Sequence, residues 1–428
     1  MEKSEKLSIE KAWEKLFKEH DIVEKVHKNG EFRISSYQIN KLKEARLMAK
    51  FDQTAQLPAV FRENGLSILP ITRGEYLIGN FKTHENIEYA NVKPKFVEIP
   101  DLQTINHQNL YSESSALLFA FNSGIIQDIM ETSKINYTVN GRMSSGEFDF
   151  YIFNPKCLEN KQHIHVQNAQ VEIDAGYESP DAFCICEAKN VYVQELMIRQ
   201  LFYPYRLWKN KIEKTIIPVF FVYSNDIFHV FKYEFKDDMY FNSLNLLEYR
   251  TYTFADEEVS LSDIINVWKS IKPIKEPEIT FPQADSFPRI VDLLSILNER
   301  NLTKEEVTLK YEFEERQTNY YVTACEYLGF VKRVKNSDGE IEYQLTKHAK
   351  NIMKLKYKEK YLEIIKTVLL RPVFYKVFEH SLVKIEVPDK KLICKIMSES
   401  NLNISENTID RRANTVKSWI DWILRQGT

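Results

Sequence analysis

Residues 170–190 read QVEIDAGYESPDAFCICEAKN. Two apolar, β-prone runs flank Glu178-Ser179-Pro180-Asp181, a turn composition, so the stretch is predicted to be a β-hairpin. Which aspartate works with Glu187 and Lys189 decides what the hairpin is for. If Asp181 and Glu187 shared one strand, six residues at ~3.3 Å each would separate their Cα atoms by about 20 Å. A single Mg²⁺ with ligands at ~2.1 Å cannot span that gap. With residues 178–181 as the turn, cross-strand partners sum to 359, which puts Asp174 opposite Ile185 and Glu172 opposite Glu187. Asp174, Ile185, Glu187 and Lys189 then share a face, with Asp174 and Glu187 diagonal neighbours at roughly 7–8 Å. A slip of one residue would reverse that face.

Working outward, a helix (ESSALLFAFNSGIIQDIMETS) precedes the strands INYTVN, EFDFYIF, AQVEIDAGY and AFCICEAK. A second helix (VQELMIRQLFYPYRLWKN) and the strands IIPVFFVYS and IFHVFKYEF follow. The class is α/β (α+β), with a mixed central sheet flanked by helices. Residues 1–110 form a mixed α/β region for DNA contact or dimerisation, residues 111–285 the core, and residues 286–428 a mostly helical region. A proline-containing linker is placed near residues 270–287.

These residues resemble the PD-(D/E)XK nuclease superfamily, and within it the type II restriction endonucleases. VEIDAGY and CICEAKN carry the resemblance, on a helix-strand-strand-strand-helix-strand order. It implies that Asp174 and Glu187 hold Mg²⁺ and that Asp174, Glu187 and Lys189 are catalytic. Lys189 would orient or deprotonate the attacking water, leaving 5′-phosphate and 3′-hydroxyl ends. RQLFYPYRLW is similar to a glutamine-plus-tyrosine element of some such nucleases, which makes Gln200 a supporting residue; Pro204 stands where a tyrosine is usual. Glu172 and Glu147 are further supporting candidates, although Glu147 and Asp149 equally suit a water-facing strand. Glu113 reads as a first-turn acid favoured by the helix dipole. His163 and His165 read as exposed strand histidines, and Cys184 and Cys186 as reduced core residues.

Net charge is −3, yet residues 286–428 hold 25 Lys and Arg against 20 Asp and Glu, so nucleic-acid affinity is expected to lean on that end. FPRIVDLLSILNER, LTKEEVTLKYEF (opened by Thr303) and ERQTNYYVTACEYLGFV read as three helices. VKRVKNSDGEIEYQLT follows as a hairpin about Asp338-Gly339. Three helices and a basic hairpin resemble a winged helix-turn-helix. That resemblance makes Arg316, Gln317, Asn319 and Tyr320 readers of bases, and Lys332, Arg333 and Lys335 phosphate contacts. SENTIDRRANTVKSWIDWIL echoes the third helix and offers Arg411, Arg412, Asn414 and Lys417 for a second unit. A protein-protein role is the alternative for each unit, favoured by Glu312, Glu314 and Glu315.

The expected function is Mg²⁺-dependent, sequence-specific cleavage of double-stranded DNA by a type II restriction endonuclease. In a restriction-modification system serving phage defence, this requires a separate cognate DNA methyltransferase and a homodimer when both strands are cut. A modification-dependent or repair endonuclease of the same fold, or a non-catalytic winged-helix regulator, are the alternatives. The charged N-terminal helix lacks the apolar run of a signal peptide and no 18-residue apolar run occurs, so a cytoplasmic protein with no membrane partner is expected.

Overall fold

The computed structural model describes residues 8–154, 161–311, 315–400, 402 and 404–427. The first seven residues of the expected N-terminal helix, and Glu312 and Glu314, lie outside these. Residues 8–79 have a core of their own. The helices Ile9–His20 and Ile22–Asn29 pack with a three-stranded sheet, in the order Glu31–Ser35, Glu75–Gly79, Ser67–Pro70. Trp13, Phe17 and Phe61 meet edge to face, and the Trp13 indole donates to the Met48 carbonyl at 2.8 Å. This core reaches only to Ile78, short of the expected boundary at residue 110; Phe81 and Ile87 already belong to the main core.

The centre is a mixed, seven-stranded sheet in the order Lys95–Phe96, Leu244–Thr253, Ile227–Phe235, Thr215–Ser224, Ala182–Lys189, Gln170–Glu178, Asn136–Ser144. Ala182–Lys189 runs parallel to Thr215–Ser224, joined by the crossover helix Arg199–Lys209. The neighbouring pairs Ala182–Lys189/Gln170–Glu178 and Thr215–Ser224/Ile227–Phe235 are antiparallel. Both faces of the central strands are covered, which explains their nearly unbroken apolar runs. Phe183, Ile185, Phe220 and Val222 lie with Leu201 and Phe202 of the crossover helix. Cys184, Cys186, Val219 and Phe221 lie with Ala116, Phe119 and Ala120 of helix Glu113–Asn122. Removing a fully buried ring such as Phe119 costs about 3–5 kcal/mol.

Three details depart from expectation. The stretch EFDFYIF is not a neighbour of the hairpin in this sheet; as Glu147–Phe153 it pairs with Lys161–Gln167 in a separate two-stranded sheet. The second helix starts only at Arg199, because Glu195–Met197 pairs as a strand with His84–Asn86. Residues 271–286 lack regular structure but are not a free spacer. Phe281 is buried, its ring stacked on Phe374 at 5.9 Å, and the Ala284 carbonyl accepts from the Trp419 indole at 2.8 Å.

The C-terminal region is mostly helical. Phe287–Glu299, Lys304–Lys310 and Glu315–Tyr327 are closed by a small sheet in the order Leu302–Thr303, Ile341–Leu345, Val331–Lys335. Thr303 caps the second helix in a capping box with Glu306, and Gly339 takes the positive φ (81°) that the hairpin turn needs. The 21-residue helix Glu406–Gln426 packs Trp419 against Phe287 and Phe374, so it folds back onto the start of this region. Among the described residues no helix is long and apolar enough to cross a membrane.

Candidate active site

The hairpin turns at Pro180-Asp181, one residue later than expected, because Ser179 and Ala182 close the turn. The Ser179 N–H donates to the Ala182 carbonyl at 2.9 Å, and the Ala182 N–H donates to the Ser179 hydroxyl at 3.0 Å. Partners therefore sum to 361, as in Phe183–Glu178 and Cys186–Ala175. A shift of two preserves the face, so Asp174, Glu187 and Lys189 still come together. Glu172, placed opposite Glu187 by the expected register, instead faces Arg142 on the next strand at 3.1 Å and is exposed.

Asp174 sits where the ladder breaks. Against Asn136–Ser144 the pairing jumps from Val139–Gly176 to Gly141–Ile173, an extra residue in the aspartate strand. Val171 and Ile173 lie in one apolar layer, whereas Ala175 and Tyr177 lie in the other. Such a bulge re-aims side chains. Here the Asp174 carboxylate takes over from the backbone ladder, accepting the Ala188 N–H at 2.8 Å. On the facing strand, Glu187 and Lys189 are 6% and 7% exposed. The Lys189 ammonium lies 3.2 Å from Glu187 Oε1, and the Gln200 amide donates to that same oxygen at 2.5 Å. Gln200 thus reaches the site in the first turn of the crossover helix, with Pro204 tolerated further along it.

Two acids join from elsewhere. Asp52, 2% exposed, has Oδ2 3.6 Å from Lys189 Nζ and 3.6 Å from Lys50 Nζ. Its loop is docked on the segment after the lysine strand: Gln53 Nε2 donates to the Glu195 carbonyl at 3.0 Å, and the Thr54 N–H donates to the Glu195 carboxylate at 2.7 Å. Glu113 begins its helix behind the Ser112 cap and feels Lys189, Asp174, Lys50 and Asp52. It is a first-turn acid as expected, and also a neighbour of the cluster.

Crowding and burial shift these groups together. Burial pushes the Glu187 carboxyl well above the usual range, Asp174 adds to it, and Lys189 opposes it, with Asp52 and Glu113 raising it further. Burial also raises Asp174, against the Ala188 N–H and Lys189, and raises Glu113. Four carboxyls face the buried Lys189 and the exposed Lys50, so the pocket has a deficit of positive charge. Its donors are all hard oxygens, the set that suits Mg²⁺. Among the described residues no group of three or more His, Cys, Asp or Glu converges to hold a metal as placed. Mg²⁺ usually takes one or two carboxylates and completes its shell with water and phosphate, so Asp174 and Glu187 fit that ion.

Other candidates fall outside. Glu147 is exposed on the separate two-stranded sheet beside His165 (3.5 Å), and Asp149 pairs with both His163 and His165, so neither acid adds to the site. Asp181 is exposed at the turn. Cys184 and Cys186 are buried free thiols.

In the C-terminal region, Arg316 and Asn319 are exposed and Gln317 and Tyr320 half-buried, with the Arg316 guanidinium bonded to the Tyr320 hydroxyl. Lys332 and Lys335 are exposed, but Arg333 is held by the Glu326 carboxylate at 2.9 and 3.0 Å, which removes it from ready phosphate contact. Arg411, Asn414 and Lys417 line the outer face of the long helix. Arg412 is half-buried, its pKa lowered by burial and by Arg411 and raised by Tyr320, which brings this helix beside Glu315–Tyr327.

Three family models match the chain in succession, each described as a domain of unknown function: DUF6996 over residues 10–78, DUF6997 over 79–253 and DUF7226 over 289–428. The second covers Asp174, Glu187, Lys189 and Gln200, while Asp52 falls in the first. No curated protein and no solved structure matches.

Proposed function

We propose that the chain is a metal-dependent endonuclease of the PD-(D/E)XK type, acting on double-stranded DNA as a type II restriction endonuclease with Mg²⁺. The observation that carries this reading is the buried Glu187–Lys189 pair at the end of an otherwise apolar strand, with Asp174 aimed onto the same strand end by a bulge. Ionisable groups are costly to bury, and strongly shifted acids gather where chemistry needs them. The helix, three sheet strands, crossover helix and parallel strand support the same assignment. So do the three helices and small sheet near the C-terminus, which have the element order of a winged helix-turn-helix.

Asp174 and Glu187 would hold the ion. Bound there, Mg²⁺ would polarise the scissile phosphate and acidify a water. Lys189 is set to orient that water and to offset charge developing on the phosphate. Gln200 holds the Glu187 carboxylate, and Asp52 pairs with Lys189. Arg316, Asn319, Lys332 and Lys335 would meet the duplex, and Arg411, Asn414 and Lys417 would extend that surface. Two chains would act together to cut both strands, alongside a separate methyltransferase that spares host DNA.

The test is digestion of methylated and unmethylated plasmid with Mg²⁺ by the wild-type protein and Lys189→Ala. Discrete fragments with 5′-phosphate ends from unmethylated plasmid, lost in Lys189→Ala, are expected. Cutting confined to methylated plasmid would replace the restriction reading by a modification-dependent one. No cutting of either, or equal cutting by Lys189→Ala, would overturn the hydrolytic reading.

A further inference from the structure

A cavity of about 750 Å³ lies apart from the acidic site. Its floor is formed by residues of the strands Ile227–Phe235 and Leu244–Thr253, one wall by residues 87–94 and Tyr192, and its rim by the end of helix Glu406–Gln426. The volume lies within the usual range for small-molecule sites, and junctions between segments are where these form.

The walls are aromatic and the charges are balanced. Tyr89 and Tyr192 stack at 4.5 Å and 28°, and Tyr89 stands edge-on to His229 at 4.9 Å. The His229 and Tyr249 rings are parallel at 6.1 Å and 6°. His229 is held neutral, burial pulling its pKa down to about 3, so its ring serves as a hydrogen-bonding group rather than a cation. Nδ1 meets the Tyr249 hydroxyl at 2.7 Å, and among the described residues Nε2 and the Tyr192 hydroxyl make no hydrogen bond. The cations at the rim are paired: Lys93 with Glu258 at 3.0 Å, and Arg425 with Asp421 at 2.7 Å. Flat faces suit a flat ring, neutral hydrogen-bonding groups suit its polar edge, and the absence of surplus positive charge disfavours a phosphate.

We propose that this cavity binds an uncharged planar heterocycle of the nucleobase class, with its sugar, stacked on the Tyr89–Tyr192 pair. Stacking on tyrosine tolerates every base, while the His229 and Tyr192 edges select among them. A free nucleoside and a base swung out of DNA offer the same ring. The inference does not rest on hydrolysis, and binding is measured without divalent metal.

Adenosine, guanosine, cytidine and thymidine are titrated calorimetrically into the full chain. In a second arm, duplexes carrying one bulged, already unstacked base are compared with fully paired duplexes. At least one nucleoside is expected to saturate the protein, with Tyr192→Ala weakening it on the order of 10-fold and Tyr192→Phe retaining most of the affinity. Preference for the bulged duplex, lost in Tyr192→Ala, with no nucleoside binding would support the proposal with DNA as the source of the base. Binding in neither arm, binding indifferent to Tyr192→Ala in a protein of unchanged thermal midpoint, or tighter binding of choline than of any nucleoside would overturn it.

Discussion

Replacing Asp292 by Asn should change how the stability of the chain depends on pH. Asp292 lies in helix Phe287–Glu299, 4% exposed, and clamps the segment that leaves the lysine strand. Its carboxylate accepts the Tyr192 N–H at 2.7 Å, the Ser224 hydroxyl at 2.9 Å and the Asn225 N–H at 3.3 Å, while Arg289 Nε donates to the Tyr192 carbonyl at 3.0 Å. Burial raises its pKa, more than these hydrogen bonds and Arg289 lower it, to about 7. An unfolded Asp titrates near ~3.9. Between those values the folded chain binds more protons than the unfolded one, so this group's contribution falls as pH rises and levels off above about 7. Three units correspond to about 4 kcal/mol in all, of which roughly 3 kcal/mol is lost between pH 5 and pH 8. Asn cannot ionise and removes that slope, but its amide faces one of the former donors, costing about 1–3 kcal/mol at every pH. Urea denaturation followed by tryptophan fluorescence should find Asp292→Asn less stable than wild type at pH 5, with the gap closing or reversing at pH 8. A gap that stays the same within about 1 kcal/mol at the two pH values would refute the assignment of a buried, proton-holding Asp292.

Asp174→Ala is expected to abolish Mg²⁺-dependent cleavage while DNA binding in Ca²⁺ survives, whereas Asp181→Ala stays active. A folded but inactive Asp181→Ala protein, in a plasmid assay, would contradict the hairpin. Asp52→Asn should lower the cleavage rate about 10–100-fold, the usual penalty for a residue supporting a metal centre. Because Asp52 raises Glu187 and Glu113, its neutralisation should also move the acid limb of the kcat/KM profile to lower pH; an unmoved limb would deny the coupling. Lys332→Ala combined with Lys335→Ala should reduce the slope of log affinity against log salt by about 2, uniformly across DNA sequences. A sequence-selective loss in filter binding would instead make these residues readers of bases.

The hairpin was legible because a period of two forgives an even error: the turn came one residue late, which moved every cross-strand partner by two, and the Asp174, Glu187 and Lys189 face survived. Thr303 at a helix start and Gly339 in a turn were legible because each answers a local backbone need. Long-range placements were not. EFDFYIF alternates like a sheet strand whichever partner it takes, so nothing in it excluded pairing with Lys161–Gln167. Glu195–Met197 reads as a helical continuation until His84–Asn86 pairs with it. Asp52 was invisible for the same reason. It stands 137 residues from Lys189 in a polar loop without motif or period, and only the docking of Gln53 and Thr54 on Glu195 brings it in.

That late arrival bears on how the site is built. The two hairpin strands and the crossover helix alone would leave Lys189 with Glu187 at 3.2 Å and Asp174 nearby, and Gln200 bonded to Glu187. The N-terminal segment adds a second buried acid and thereby increases the repulsion on Glu187, a cost in stability that packing alone gives no reason to accept. Such a cost is sustained where the excess negative charge has a use, and an arriving divalent cation would relieve it. The same segment docks through Gln53 and Thr54 on Glu195, just ahead of the crossover helix, so residues 8–79 contribute an acid to the cluster rather than standing apart from it. An isolated fragment spanning residues 79–253 would carry Asp174, Glu187 and Lys189 yet leave Lys189 without its Asp52 neighbour.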